Sequence, residues 1–138
     1  MPTTHKNKTF ATLLAAVLGG LGIHRFYLRG AKDPWAWLHL SSAPLSLLAM
    51  FVGAGQPQLF LLAPLILSVL AGLLEALILG LMPDKNWDAA YNQSSGRISS
   101  SNWPLALILV FTLGIGAIGL IATIARTFDL LFTGGAYG

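Results

Sequence analysis

Cysteine is missing from this sequence, and charged side chains are scarce. The absence of cysteine from all 138 residues excludes disulfide bonds, thiolate metal sites and a cysteine nucleophile. Only 9% of the residues are charged while 55% are hydrophobic, and the mean hydropathy is +0.72. A water-soluble fold cannot cover that much apolar surface, whereas a bilayer solvates about 20 consecutive apolar residues in each helix. The composition therefore predicts an integral membrane protein.

Motifs of catalysis are absent too. The sequence has no Gly-x-Ser-x-Gly elbow, no phosphate-binding loop and no His-Glu-x-x-His pair. The glycine-rich residues 19–22 lie inside an apolar run and lack the acidic residue of a dinucleotide fingerprint, so they indicate helix packing or a loosened helix end. The pI near 9.6 reflects Lys and Arg beside apolar segments, a pattern typical of membrane orientation rather than nucleic-acid binding. We expect no enzyme, no cofactor, no metal and no nucleic-acid partner.

Four apolar segments organise the chain. They cover residues 10–23, 35–52, 59–82 and 104–125. The last three are long enough to span a bilayer, whereas the first is short unless its helix continues to residue 28. We therefore predict an all-α, polytopic membrane protein with four transmembrane helices in two hairpins, residues 1–53 and 54–138. The polar loop at residues 83–103 ends in a serine-rich stretch that we expect to be mobile.

Basic residues give two possible orientations. If all four segments span, the first and third loops carry five Lys and Arg against three on the other face, which favours a cytoplasmic first loop. If the first segment is re-entrant, Lys6 and Lys8 join the larger set and the count becomes seven against one. An aromatic belt is expected at the same face, formed by Tyr27, Trp35, Trp37, Trp87, Tyr91 and Trp103.

One motif has family content. The chain contains Leu18-Gly19-Gly20-Leu21-Gly22 followed by His24-Arg25-Phe26-Tyr27-Leu28. This order resembles the two-transmembrane (TM-two) domain family, bacterial type, over about residues 6–53. The resemblance implies a helical protein of the inner (plasma) membrane, a cytoplasmic first loop and no known enzymatic activity. The sequence departs from the family where Arg29 replaces a common glycine, and two further apolar segments follow.

The first loop also forms a candidate interface. Its basic and aromatic residues can anchor helices at the membrane surface, or they can dock an anionic lipid or a protein partner. The candidate residues are His24, Arg25, Phe26, Tyr27, Arg29, Lys32, Trp35 and Trp37. We predict a non-enzymatic adaptor or structural component that docks membrane lipids, an envelope protein or a second copy of the chain through this face.

Two ionisable residues inside apolar segments support an alternative. Glu75 is the one charged residue of the third segment, and a carboxylate inside a membrane helix is costly unless it is paired, hydrated or protonated. His39 of the second segment is its expected partner. The alternative function is thus a small ion- or proton-coupled channel or transporter subunit that uses Glu75 and His39.

Overall fold

The computed structural model describes residues 4–137, and all regular structure in that range is helical. The α-helices are α1 (Lys8–Leu18), α2 (Ile23–Arg29), α3 (Pro34–Val52), α4 (Gln58–Leu61), α5 (Ala63–Leu81), α6 (Asp84–Tyr91) and α7 (Trp103–Thr133). Short 3₁₀ turns at Gly19–Leu21 and Gly30–Lys32 connect α1 to α2 and α2 to α3.

Three of these helices, α3, α5 and α7, are long and apolar enough to cross a membrane. The predicted helical membrane class is therefore confirmed. Helix α1 has 11 residues, which at 1.5 Å per residue extend about 16 Å, roughly half the hydrocarbon thickness of a bilayer. The predicted count of four spans is accordingly not confirmed.

Short polar residues fix where the helices begin. The side chain of Asn7 accepts from the amide of Phe10 at the start of α1. Asp33 accepts from the amide of Trp35 at the start of α3, where proline occupies the first helical position. Asn102 caps α7 in the same way. Side-chain acceptors satisfy amides that a helix leaves unpaired in its first turn, and proline has no amide to satisfy there.

Glycine ends helix α1 near the end of the first apolar segment. Gly22 has a φ of 71°, a left-handed conformation that favours glycine, and a Cβ there would lie 2.7 Å from the carbonyl oxygen of Ala36. Gly19 packs against Gly72 of α5 so closely that a Cβ on Gly19 would lie 2.8 Å from the Gly72 Cα. The chain therefore turns at residues 19–22 with its backbone pressed against α5.

After this turn α2 runs back beside α1. The amide of Asn7 donates to the Tyr27 hydroxyl over 3.0 Å, and the Phe10 and Tyr27 rings meet edge to face at 5.3 Å. At the same end of the molecule, Lys8 donates to the carbonyl oxygen of Met82, just beyond α5. The α1–α2 pair thus begins and ends near the same end of α5, which we call the polar end and define as residues 4–8 and 83–102.

The polar end contains more structure than the predicted loop at residues 83–103. Helix α6 lies within it, and Trp87 of this helix is fully buried, with its indole N–H donating to the Lys6 carbonyl over 3.1 Å. The ring of Tyr91, which is partly buried, packs at a tilt against that of Trp87 with the centroids 4.6 Å apart. Trp87 therefore packs inside the protein instead of joining the expected aromatic belt, because α6 folds onto the N-terminal segment.

The serine-rich stretch, which the sequence predicts to be mobile, forms hydrogen bonds with two carboxylates. Asp84 accepts from both the amide and the hydroxyl of Ser101 at 2.8 and 2.7 Å. Asp88 accepts from the amide of Ser99 at 2.8 Å. The buried ammonium of Lys8 donates to Asp84 over 2.9 Å, and this hydrogen bond, with those from Ser101, lowers the pKa of Asp84 to about 2.

Candidate functional site

The site is centred on Glu75, which lies on the α5 face toward α2 and α3. His24 Nε2 contacts one carboxylate oxygen of Glu75. Arg25 Nε lies 3.0 and 2.9 Å from the two oxygens, and its Nη2 donates to Oε1. The two consecutive residues His24 and Arg25 of the first-loop motif therefore both bind the carboxylate that the sequence marked as costly.

Arg25 also joins α3 to this cluster. Its Nη1 lies 3.3 Å from Oδ2 of Asp33, the residue that caps α3. The carboxylate of Asp33 is almost completely buried. One guanidinium thus faces two carboxylates, and it fastens the start of α3 to the middle of α5. A buried charge is tolerated when it is paired and hydrogen-bonded in this way.

His39, which the sequence suggested as a partner of Glu75, lies near the same carboxylate. Its Nε2 atom lies 3.6 Å from Oε1 of Glu75, which is longer than a hydrogen bond. Its Nδ1 atom lies 2.7 Å from the Ser68 hydroxyl. The Ser68 hydroxyl donates in turn to the carbonyl oxygen of Gly20 over 2.7 Å.

The proton positions at His39 follow from these partners. A serine hydroxyl has one proton, and Ser68 must use it for Gly20 because a carbonyl oxygen can only accept. His39 Nδ1 must then carry a hydrogen and donate it to Ser68. In the neutral imidazole the other nitrogen, Nε2, is an acceptor. It has no donor among the described residues within hydrogen-bond distance.

The first-loop motif consequently divides into an inner and an outer part. Phe26 packs edge to face on Trp37 at 5.3 Å, and Tyr27 is held by Asn7 and Phe10. His24 is buried, and all three guanidinium nitrogens of Arg25 are engaged by carboxylates. These two residues are therefore paired with Glu75 and Asp33 within the protein rather than left free on its surface.

The outer part remains accessible. Arg29 and Lys32 are exposed, and more than half of the surface of Trp35 and of Trp37 is exposed. The indole N–H of Trp37 donates to the Ala31 carbonyl over 2.8 Å, which holds this ring against the turn that carries Lys32. We call Arg29, Lys32, Trp35 and Trp37 the basic aromatic patch.

A cleft of about 540 Å³ lies between α3 and α5 beside the Glu75 cluster. The end of the cleft nearest the start of α3, which we call its upper end, is polar and includes Arg25, His39 and Glu75. The rest of its lining is mainly apolar and includes Trp35, Leu38, Leu45, Pro64, Leu67 and Ala71. Four of these side chains, on Trp35, Leu38, Leu45 and Leu67, are also more than half exposed, so the cleft opens sideways from the helix pair.

A chain with three apolar helices of spanning length, α3, α5 and α7, is a multi-pass membrane protein. Residues 4–54 match the family model of the TM2 domain, which confirms the resemblance expected over residues 6–53. The region that matches the TM2 domain ends just after α3, and Glu75 lies outside it. No curated protein and no solved structure matches the chain.

The sequence did not predict that Asp33, His24 and Arg25 would join the Glu75 cluster. Asp33 was identifiable as a helix cap before Pro34, although its pairing with Arg25 depends on the return of α2. His24 and Arg25 were assigned to the interface because they follow an apolar run. The available signal was charge balance, since an acid inside an apolar helix requires a base, and Arg25 lies two residues beyond the first predicted segment.

Proposed function

We propose that this protein is a non-enzymatic component of the inner (plasma) membrane that docks anionic lipid through its basic aromatic patch. The single observation that carries the proposal is the division of the first-loop motif. Arg25 forms ion pairs with Glu75 and Asp33, whereas Arg29 and Lys32 remain exposed beside two exposed tryptophans.

The chemistry of the patch suits a lipid head-group layer. Trp35 and Trp37 present amphipathic rings of the kind enriched at membrane interfaces. A guanidinium at Arg29 can bind phosphate through two parallel hydrogen bonds, and Lys32 adds a second positive charge. Each basic group near an anionic membrane surface contributes about 1 kcal/mol of attraction.

Removal of these two charges tests the proposal. The full chain and the double variant Arg29→Ala/Lys32→Ala are reconstituted in nanodiscs of phosphatidylglycerol and phosphatidylcholine, extracted gently, and assayed for retained lipid. We expect the double variant to lose about tenfold or more of the phosphatidylglycerol preference, since two charges are removed.

The matched control is Lys85→Ala/Arg97→Ala, which removes two exposed charges from the polar end. It should retain the preference of the parent chain. An equal loss in both double variants would show that overall charge, and not the patch, selects the lipid.

We further propose that α1 and α2 form a half-inserted hairpin and that α3, α5 and α7 are the three spans. The return of α2 along α1 and the short length of α1 support this arrangement. It also gathers seven of the eight basic residues on one side of the membrane, with Arg126 on the other.

Single-cysteine labelling distinguishes this topology from four spans because the chain has no cysteine of its own. With three spans, Thr4→Cys is protected from an impermeant thiol reagent added outside the cell, and Tyr137→Cys is labelled. Labelling of both positions from outside would exclude the half-inserted hairpin.

A proton-linked transport role is the second candidate, and one observation favours it. Glu75 lies between two histidines, with His24 in contact and His39 at 3.6 Å, beside a cleft. Proton flux into proteoliposomes that is lost with Glu75→Gln but retained with Arg29→Ala/Lys32→Ala would favour this role over lipid docking.

A further inference from the structure

The cleft between α3 and α5 has a polar upper end and an apolar lower part, and its residues are distinct from Arg29 and Lys32. From Trp35 to Leu45 on α3 there are ten residue steps, and from Pro64 to Glu75 on α5 there are eleven. At 1.5 Å per step the cleft is about 15 Å long, which is half the hydrocarbon thickness of a bilayer. Its length therefore matches the depth of one leaflet.

The direction of the cleft also corresponds to that of a lipid. Its polar groups lie toward the polar end of the molecule, where Arg25 joins Glu75 to Asp33 at the start of α3. Its apolar side chains continue from there toward the middle of α3 and α5. Because the cleft opens sideways between the helices, a lipid molecule can enter from the surrounding leaflet with its head group at Glu75 and its chain below.

At the polar upper end of the cleft, the ring of His39 has one nitrogen that meets no hydrogen-bond donor among the described residues. His39 Nδ1 is committed to Ser68, so the neutral His39 ring presents an acceptor at Nε2. The Glu75 oxygen 3.6 Å away is an acceptor as well. The cluster also sets two carboxylates, Glu75 and Asp33, against the single guanidinium of Arg25.

From these observations we infer that the cleft binds a membrane lipid with a primary ammonium head group. The ammonium donates to His39 Nε2 and adds a positive charge beside the two carboxylates, while one acyl chain lies along Leu38, Leu67 and Ala71. A choline head group carries the same positive charge but has no N–H to donate. The site therefore selects ethanolamine over choline lipids, which goes beyond the anionic lipid docking proposed for the exposed patch.

The test compares two lipids that differ only in the ammonium group. Full-length protein is reconstituted with equimolar phosphatidylethanolamine and phosphatidylcholine of identical acyl chains, extracted in mild detergent, and analysed for retained lipid by native mass spectrometry. We expect about one ethanolamine lipid per chain and roughly tenfold enrichment over choline lipid, the effect of one charge-assisted hydrogen bond.

Two variants separate the head-group contact from the chain contact. In His39→Asn the amide nitrogen can still donate to Ser68, whereas the acceptor at Nε2 is lost. Enrichment should fall to parity. Ser41→Phe places a ring in the cleft and should reduce retention of both lipids. Its control, Ala43→Phe, adds a ring one residue to the other side of Ser42, outside the cleft lining, and should behave as the parent.

Three results would overturn the inference. Equal retention of the two lipids by the parent chain would show that the cleft does not bind a primary ammonium group selectively. Enrichment that persists in both His39→Asn and Ser41→Phe would place amine selection elsewhere on the protein. A cross-linked dimer through α3 and α5, with no lipid retained, would show that a second copy of the chain occupies the cleft. Loss of phosphatidylglycerol preference in Arg29→Ala/Lys32→Ala is a separate outcome and leaves this inference intact.

Discussion

Two of the neighbours of helix α5 contact it in very different ways. Toward α1 it presents small residues, and Ala11, Ala15 and Ala76 are almost completely buried there. Toward α7 it presents leucines, and a gap of about 450 Å³ with an almost wholly apolar lining remains between the two helices. Because lipid tails are as apolar as leucine, close backbone approach and hydrogen bonds stabilise helix pairs in a membrane better than large side chains do.

The α1 side has both of these contributions and the α7 side has neither. Gly19 and Gly72 bring the backbones together, and the Glu75 cluster adds ion pairs that continue into α2 and α3. We therefore expect the TM2 domain and α5 to form the stable unit of the molecule, with α7 more weakly attached.

The largest expected effect comes from adding one methyl group at the close contact. In Gly72→Ala the new Cβ would lie 2.5 Å from the Gly19 carbonyl carbon, so the backbones must separate. We expect a loss of about 3 kcal/mol in unfolding free energy, the upper end of the usual scale of overpacking, because both contacting groups are backbone. Thermal unfolding in detergent, followed by gel filtration, measures the change.

Gly116→Ala is the matched control in α7. Its Cβ would lie 3.7 Å from that of Leu73, an ordinary contact. The better helix propensity of alanine should leave stability unchanged or raise it by up to about 1 kcal/mol. Similar losses at Gly72 and Gly116 would contradict the difference between the two interfaces.

A medium effect is expected at the ion cluster. Glu75→Gln keeps an acceptor for Arg25 but removes the charge, which leaves Arg25 with Asp33 alone. Since the Glu75 side chain is 19% exposed, the loss should be about 2 kcal/mol, below the 3–5 kcal/mol scale of a fully buried broken pair. Chemical denaturation of the reconstituted protein measures it.

Arg126→Gln provides the comparison on α7. Arg126 pairs with Asp129 one turn along the same helix and is 36% exposed. Its removal should change stability by less than about 0.5 kcal/mol, as for other exposed pairs. If Arg126→Gln were the more damaging substitution, α7 would be more firmly attached than its packing indicates.

The smallest effect concerns pH at the polar end. The pKa of Asp84 is lowered from its ordinary value to about 2 by hydrogen bonds from Lys8 and Ser101. A lowered folded-state pKa stabilises the protein above the unfolded-state value, near 4, and this stabilisation is lost as pH falls through about 2. The midpoint temperature of thermal unfolding should therefore decrease as the pH is lowered from about 4 to about 2.

Asp84→Asn removes this titration, so part of the acid sensitivity should disappear and stability at neutral pH should decrease slightly. Asp88 accepts from Ser99 and also has a lowered pKa, so the remaining sensitivity should shrink further in Asp84→Asn/Asp88→Asn. An acid profile identical to that of the parent would exclude a contribution from the Lys8 pair.

Much of the fold was predictable from apolar length and helix caps. Segments 35–52 and 59–82 correspond closely to α3 and α5, and the contact between His39 and Glu75 followed from two polar residues in facing helices. The return of α2 was not predictable, because it depends on the left-handed Gly22 and on the contact between Gly19 and Gly72, 53 residues apart in sequence. If α2 did not return along α1, Arg25 would lie at the membrane surface, where the sequence predicts it.

The fourth apolar segment was predicted to be shorter than the helix that it forms. It was predicted to end at residue 125, whereas α7 continues to Thr133, because the pair of Arg126 with Asp129 fits on one turn of the helix. Trp87 was assigned to the aromatic belt by residue type alone. Its burial depends on the backbone carbonyl of Lys6, a partner that no local pattern identifies.

The contacts of the N-terminal segment also set an order of events during synthesis. The amide of Lys6 donates to Asn92 over 2.7 Å, Trp87 donates back to Lys6, and Thr9 donates to Asn102. These partners are separated by 81 to 93 residues, so none of the contacts can form until α5 and α6 have left the ribosome. The TM2 domain is made first, yet it acquires its neighbours late, and assembly of this end must wait for more than half of the chain.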